Sequence, residues 1–354
     1  MKALIVIRPG ELEMLDMPLP NPGPHEALVK IDACGICGTT DRELIAGTQP
    51  YHSEYPAVLG HESTGLVVET GRECRKFKVG DRVTRAAAII AGGHRDGLAS
   101  CWGGFAEYGL VREPESGVEP DYNESRELVV DSRLSPLQAV AAISLAETAS
   151  WTWQLPPLGG KCVVVSGTGC AGMTIALWCK MAGAKVIVLG RRDSRLEKAR
   201  NIGADAAVNV RTCGDAAEAV RSIAPEGADV FCDACGARDQ IALAARACRD
   251  GGLWARYAVE PAGGYDAPAG GAPNLLRAIP EAREHLAYGW VPDMILRGRI
   301  DADEFVDHRW PFDDFREAFA AVARGEVLKG VLDIGSAVGK PSNGKAAICG
   351  GQQP

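Results

Sequence analysis

From Met1 to about Thr148 the chain alternates short apolar runs with glycine- and proline-containing turns. Ala27-Leu28-Val29-Lys30-Ile31 and Thr64-Gly65-Leu66-Val67-Val68 are representative. Strand-length segments punctuated in this way predict a mostly β domain with hairpins and barrel-like closure. Near Leu158-Gly159-Gly160 the texture changes. The apolar run Cys162–Val165 precedes a helix-like stretch from Ala171 to Met181, and Lys185–Leu189 precedes another from Ser194 to Arg200. Ala228–Cys232 and Gly252–Ala255 continue the series. Alternating strand and helix signals at this spacing predict βαβ units around a buried parallel sheet, so the second domain is α/β. From Val291 the pattern is mixed, with a strand-like Lys329–Ile334, and from Gly339 a Gly, Ser, Asn and Gln-rich tail is expected to fray.

A length of 354 residues is long for one core and agrees with two domains. The net charge of -8 leaves no basic excess to neutralise phosphates, which argues against a nucleic-acid partner. No apolar run approaches the ~20 residues of a membrane span. The first residues, MKALIVIRPGEL, lack the order of a secretory leader. The 12 cysteines are scattered, which suits reduced thiols or metal ligands and a cytoplasmic setting.

Gly167-Thr168-Gly169-Cys170-Ala171-Gly172 has the spacing G-x-G-x-x-G, directly after one predicted strand and at the start of a helix. In that context it predicts a dinucleotide site. Gly167 allows the turn, Gly169 the approach of a pyrophosphate and Gly172 the packing of helix on strand, while the helix N-terminus attracts the phosphates. The next strand ends at Gly190, where an NAD site usually carries a carboxylate for the ribose, and Arg191 and Arg192 follow. Two guanidinium groups suit a 2′-phosphate, which favours NADP over NAD. The plainer alternative leaves both arginines in solvent and makes Asp193 the cap of the next helix.

Cys37, the pair His61 and Glu62, and Glu147 carry metal-ligand chemistry in the first domain. A catalytic zinc needs three protein ligands and an open fourth position. Cys37, His61 and Glu147 would supply the three, and zinc at that position would acidify a substrate alcohol.

At these residues the sequence resembles the medium-chain dehydrogenase/reductase family, in particular its zinc-dependent alcohol, polyol and glucose dehydrogenases. The likeness runs through Pro22–Lys30, the Cys34–Asp41 segment, Gly60-His61-Glu62-Ser63-Thr64-Gly65, Val79–Val83, Gly103–Tyr108, the glycine loop and Val331-Leu332. It implies a GroES-like catalytic domain over residues 1–150, completed by 291–340, a Rossmann domain over 151–290 and a flexible tail over 341–354. The active site is then expected in the cleft between the domains.

The resemblance implies Cys37 and His61 as zinc ligands, and Glu147 at the position of the polyol dehydrogenases' glutamate. It leaves Glu62 as a neighbouring carboxylate able to exchange onto the metal. Thr39 matches the hydroxyl that passes the substrate proton toward solvent, and Lys329 a basic residue that reaches the cofactor pyrophosphate. One extra residue between Cys37 and Gly47 leaves Thr40 or Asp41 as the group that orients the zinc histidine, with Asp41 preferred. The string Asp41–Ile45 looks like the glucose dehydrogenase branch, which commonly uses NADP. The family's structural zinc lobe needs four cysteines where Arg85–Cys101 has one, so one catalytic zinc and no structural zinc are expected. A homodimer or homotetramer is implied, acting on a small hydroxylated molecule: a secondary alcohol, polyol, sugar or cyclitol oxidised to its carbonyl, or the reverse.

Competing readings are a zinc-free enone or quinone reductase of the same fold and a non-catalytic nucleotide-binding relative. Cys37, His61 and Glu147 together speak against the first, and the complete set of ligand, relay and glycine positions against the second. Cys34 and Cys37 lack the context of a redox pair. Cys232 and Cys235 are expected to be buried as small hydrophobes. His52, His94, His285 and His308 are expected to be structural or at the surface. Tryptophans are more often core than pocket, which covers Trp102 and Trp151, while Trp153 and Trp290 are candidate pocket walls.

Overall fold

The computed structural model describes residues 1–50, 52, 54–90, 92–266, 271–272 and 275–335. The expected tail, 341–354, lies outside the described residues.

The β-rich part is organised by one long strand, Glu26–Ile36. On one side it pairs antiparallel with Glu62–Thr70, on the other with Gly330–Asp333, and its first half also takes Tyr108–Arg112. The strand of residues 330–333 opposes Cys34 with Leu332, so the end of the described chain is built into the sheet that carries the first motif. Val29, Ile31, Val67, Val83 and Val111 fill one core, and Leu4, Ile36, Phe105, Phe312 and Leu332 another. The short helix α1 (Thr40–Ala46) follows directly on the long strand. Where the family's metal lobe would lie, the chain forms a small hairpin of His94–Arg95 with Leu98–Ser100, and Cys101 is buried in the second core.

The other part is a six-stranded parallel sheet. Its spatial order is Ala206–Asn209, Lys185–Gly190, Cys162–Ser166, Ala228–Asp233, Cys248–Arg256, Leu276–Ala278. Alternate residues along a strand face opposite ways. Val163, Val165, Val186 and Val188 therefore pack under α2 (Pro136–Thr152), α3 (Cys170–Met181) and α4 (Asp193–Asn201). Val164, Ile187, Leu189 and Phe231 pack under α5 (Ala216–Ile223) and α6 (Gln240–Ala247) on the other face. A sheet covered on both faces reads as continuous apolar runs, which is how these strands appear in the sequence. Strand order reverses between Cys162–Ser166 and Ala228–Asp233, and the crevice beyond those strand ends is where such sheets bind ligands.

Two features differ from the sequence expectation. Position 150 falls inside α2, a 17-residue helix that packs on both the long strand and α3 and so belongs to both domains. The return to the first sheet begins with the strand His308–Pro311 rather than at 291, since Val291, Ile295, Ile300 and Phe305 pack with α2 and α3 in the second domain's core. Among the described residues no helix is long and apolar enough to cross a membrane.

The N-terminus of α2 is fixed by a capping box: Gln138 N–H donates to the Ser135 hydroxyl at 3.2 Å, and Ser135 N–H donates to the Gln138 side chain at 3.0 Å. Ser135→Ala should lower the unfolding free energy by about 0.5–2 kcal/mol, read as a shift in denaturant midpoint at constant slope.

Candidate active site

Cys37 follows the last residue of the long strand, and His61 immediately precedes the neighbouring strand Glu62–Thr70. The register Gly35↔Glu62 therefore brings three ligand types together: one atom each of Cys37, His61 and Glu62 lies within 4.8 Å of the others. Asp41, on the first turn of α1, is fully buried. Its Oδ2 accepts from the Cys37 N–H at 2.8 Å, and its Oδ1 stands 3.2 Å from His61 Nδ1. The extra residue in this segment thus leaves Asp41, not Thr40, beside the imidazole, and the other ring nitrogen, Nε2, is the one that faces Glu62, at 4.0 Å.

Charge is tightly balanced here. Burial opposes ionisation of His61, but the Asp41 carboxylate and the Cys37 sulfur outweigh it and raise its pKa to about 10. Burial likewise works against the Cys37 thiolate, yet the His61 hydrogen bond and charge hold its pKa below the ordinary thiol value. Glu62 is held low, against burial, by Lys329 and His61. A sulfur and a carboxylate whose ionised forms are favoured by their neighbours, together with an imidazole whose far nitrogen faces a carboxylate, form a donor set suited to zinc, which binds thiolate, imidazole and carboxylate at about 2.0–2.3 Å.

These groups line one side of a cleft of about 1660 Å³ that also takes in the glycine loop. Thr39 lines it too, and its hydroxyl makes no capping bond to α1. Glu147, on α2, faces the same cleft but sits on Arg85, 3.3 Å from Nη2, outside the Cys37–His61–Glu62 group. Lys329 is buried with its ammonium on both oxygens of Glu62, 2.6 Å from Oε1. Trp102 lies 5.3 Å from the His61 ring, and it and Trp151 line the cleft. Trp151 is buried in the core as expected and borders the cleft from there, whereas Trp102 was expected in the core and is a wall. Trp153 and Trp290 stack on each other at 4.5 Å, and neither borders the cleft.

At the other end, Gly167 makes the strand-to-helix turn at φ 122°, and Gly172 packs so closely that a Cβ would lie 2.1 Å from the Gly167 oxygen. Thr168, Gly169, Cys170 and Ala171 border the same cavity, as do Gly190, Arg191 and Arg192. A side chain at Gly190 would meet Thr168 Cγ2 at 2.4 Å, so the strand tip stays bare. Both arginines are exposed, and Arg192 holds the cap position of α4 with Asp193 inside the first turn. Arg195, which the sequence reading passed over, is buried beside them and donates to the Gly325 oxygen at 3.4 Å. Cys232 is buried as expected, but Cys235 is exposed at the cleft, because the strand has ended and the chain turns outward there.

Residues 23–119 match the alcohol dehydrogenase GroES-like domain, and residues 170–272 the zinc-binding dehydrogenase domain. The chain is 30% identical over 358 residues to an L-threonine 3-dehydrogenase of Streptomyces avermitilis, covering 94% of this chain and 99% of that one. The chain belongs to the zinc-dependent medium-chain dehydrogenase family. It is an oxidoreductase with a GroES-like and a Rossmann domain. A sorbitol dehydrogenase of Halalkalibacterium halodurans is 27% identical over 361 residues, covering 94% and 99% of the two chains. A zinc-binding dehydrogenase of Sinorhizobium meliloti, solved bound to NADP, is 26% identical with a TM-score of 0.79, covering 94% and 98%.

The dehydrogenase also uses a segment that no motif marks. Tyr122, Asn123 and Arg126 border the cleft, with the Arg126 guanidinium 3.6 Å above the Tyr122 ring and Asn123 Oδ1 accepting from Trp102 Nε1 at 3.1 Å. Glu127 anchors this segment by accepting the Arg112 N–H. Burial pushes the Glu127 carboxyl up to about 7, only partly offset by that N–H and by Lys76. A carboxyl whose folded pKa is raised contributes stability below its unfolded value, and this is lost as pH rises through about 7. Glu127→Gln should therefore flatten the decline in stability between about pH 5 and about pH 8, by at most about 1.4 kcal/mol per pH unit. Denaturant midpoints across that range are the measurement.

Proposed function

We propose that the chain is an NADP-preferring dehydrogenase with one catalytic zinc and no structural zinc, acting on a secondary hydroxyl of a polyol, sugar, cyclitol or similar polar metabolite. The observation that carries this is the meeting of a thiol, an imidazole and a carboxylate in the same cleft as the glycine loop. Cys37, His61 and Glu62 would hold the zinc, which would supply Lewis acidity toward an alcohol oxygen, and a bound nicotinamide would supply the hydride acceptor. The chain's own groups do the rest. Asp41 fixes the His61 ring, Thr39 takes the carbinol proton toward solvent, and the glycine loop at the start of α3 would hold the cofactor against the same cleft.

The bare tip at Gly190 and the two cleft-lining arginines support NADP, as does the NADP-bound relative. Relatives named for sorbitol, a polyol, and L-threonine, a hydroxy amino acid, support a polar substrate. The single Cys101 between Arg85 and Cys101, buried in an apolar core, supports the lack of a second metal. A cytoplasmic homodimer or homotetramer completes the proposal.

The direct test is a screen of alcohols and sugars with NAD and with NADP on zinc-loaded protein, beside metal analysis. One zinc per chain is expected, and an active preparation without zinc would overturn the proposal. Thr39→Val should keep the zinc but lower kcat on the order of 10²-fold; a near-normal kcat across pH would assign the proton to another group.

Replacing Arg191 and Arg192 together by alanine should weaken NADP far more than NAD, by about 1–3 kcal/mol for each lost contact. Equilibrium binding of the two cofactors measures this, and equal weakening would remove the arginines from the 2′-phosphate.

A further inference from the structure

Arg85 is one of three non-glycine residues with positive φ among the described residues, at 63°. Such a backbone conformation is strained and persists only where the surroundings over-determine it. The surroundings here do so. The backbone N–H of Arg85 donates to the Ser63 oxygen at 2.8 Å. Nε and Nη2 each donate to one oxygen of Glu284 at 2.7 Å, a two-point fork on a carboxylate with no exposed surface. Nη1 donates to the backbone oxygen of His61 at 2.7 Å, and Nη2 also reaches Glu147 Oε2 at 3.3 Å. Tyr257 borders the same cleft, and burial together with the nearby Glu147 carboxylate raises its pKa well above the ordinary phenol value.

One planar guanidinium thus ties a metal-ligand segment, a buried counterion and the cleft-facing carboxylate into one rigid unit. Glu284 takes the arginine through both oxygens, so Glu147 is held by the edge of Nη2 alone and its carboxylate still borders the cleft. Glu62, the other carboxylate nearby, already completes the thiol and imidazole pair. We propose that Arg85 is a positioning residue that assigns Glu147 to the substrate rather than to the metal. Held by Arg85, Glu147 accepts a hydrogen bond from a donor next to the reacting carbinol, so the favoured substrates are vicinal diols or vicinal amino alcohols. This rests on the Cys37–His61–Glu62 centre described above.

Two variants of the full chain test it: Glu147→Gln, and Arg85→Lys, which keeps a cation against Glu284 but loses the second arm. Zinc affinity is measured by chelator competition on metal-free protein. Glu147→Gln should leave it within a few fold, and a fall of about tenfold or more, as for a lost ligand or its partner, overturns the proposal even where no alcohol turns over. Selectivity is the ratio of kcat/KM for propane-1,2-diol, or for 1-aminopropan-2-ol, to that for propan-2-ol. Both variants should lower it about 10- to 100-fold, the worth of a hydrogen bond to a charged group; the diol and the amino alcohol report separately which donor is preferred. An unchanged ratio in Glu147→Gln overturns the substrate role, and an unchanged ratio in a folded Arg85→Lys overturns the role of Arg85. Cys37→Ser separates the underlying reading: if it retains zinc at full affinity, the metal centre itself is misassigned, whatever Glu147 does.

Discussion

The buried ion pair between Lys329 and Glu62 joins residues 267 positions apart and ties the end of the described chain to the strand Glu62–Thr70. Both side chains are almost wholly out of water, at 5% and 6% exposure. Loss of either partner would leave an isolated charge in the interior, at a cost of about 3–5 kcal/mol. The sheet makes the contact possible. Gly35 pairs with Glu62 on one side and Val331 on the other, and a side chain at Gly35 would lie 2.4 Å from Glu62 Oε2. The bare position between the two strands is the space through which the carboxylate reaches the ammonium.

Around that pair the site is arranged so that no buried charge stands alone. Asp41 is shared between the Cys37 N–H and His61, Lys329 covers Glu62, and Glu284 covers Arg85. Fixed partners of this kind hold side chains in one geometry before any ligand arrives, which is what a metal centre and a hydride-transfer site both require. The cofactor end is built differently. Arg191 and Arg192 remain exposed and Arg195 has a buried Nη1 without a partner, so that end is open where the metal end is closed.

What could be read from the sequence divides along the same line. The glycine loop, the parallel strands and the Cys37 and His61–Glu62 segments were legible because their chemistry demands particular residues at fixed spacing. Helix α2 was not: thirteen of its residues are buried, so it shows no polar face and no helical period. Its start is capped by Ser135 and Gln138 around Pro136. The arginine network was invisible, since nothing in Thr84-Arg85-Ala86 announces a left-handed backbone or a counterion 199 positions away. Trp102 lines the cleft and Trp153 lies exposed at the surface for a similar reason. Which tryptophan meets a cavity depends on tertiary packing, and period and spacing do not carry that.

The contact between Gly190 and Thr168 bears on how cofactor use can change over generations. A carboxylate at the strand tip would need a Cβ where Thr168 already stands, 2.4 Å away, and a β-branched side chain has few rotamers in which to retreat. A lineage moving toward a ribose-binding acid at position 190 would meet a clash at its first step unless residue 168 had shrunk beforehand. The order of substitutions is thereby constrained. A smaller residue at 168 is the precondition for the change at 190, and the glycine is locked in for as long as the threonine stays.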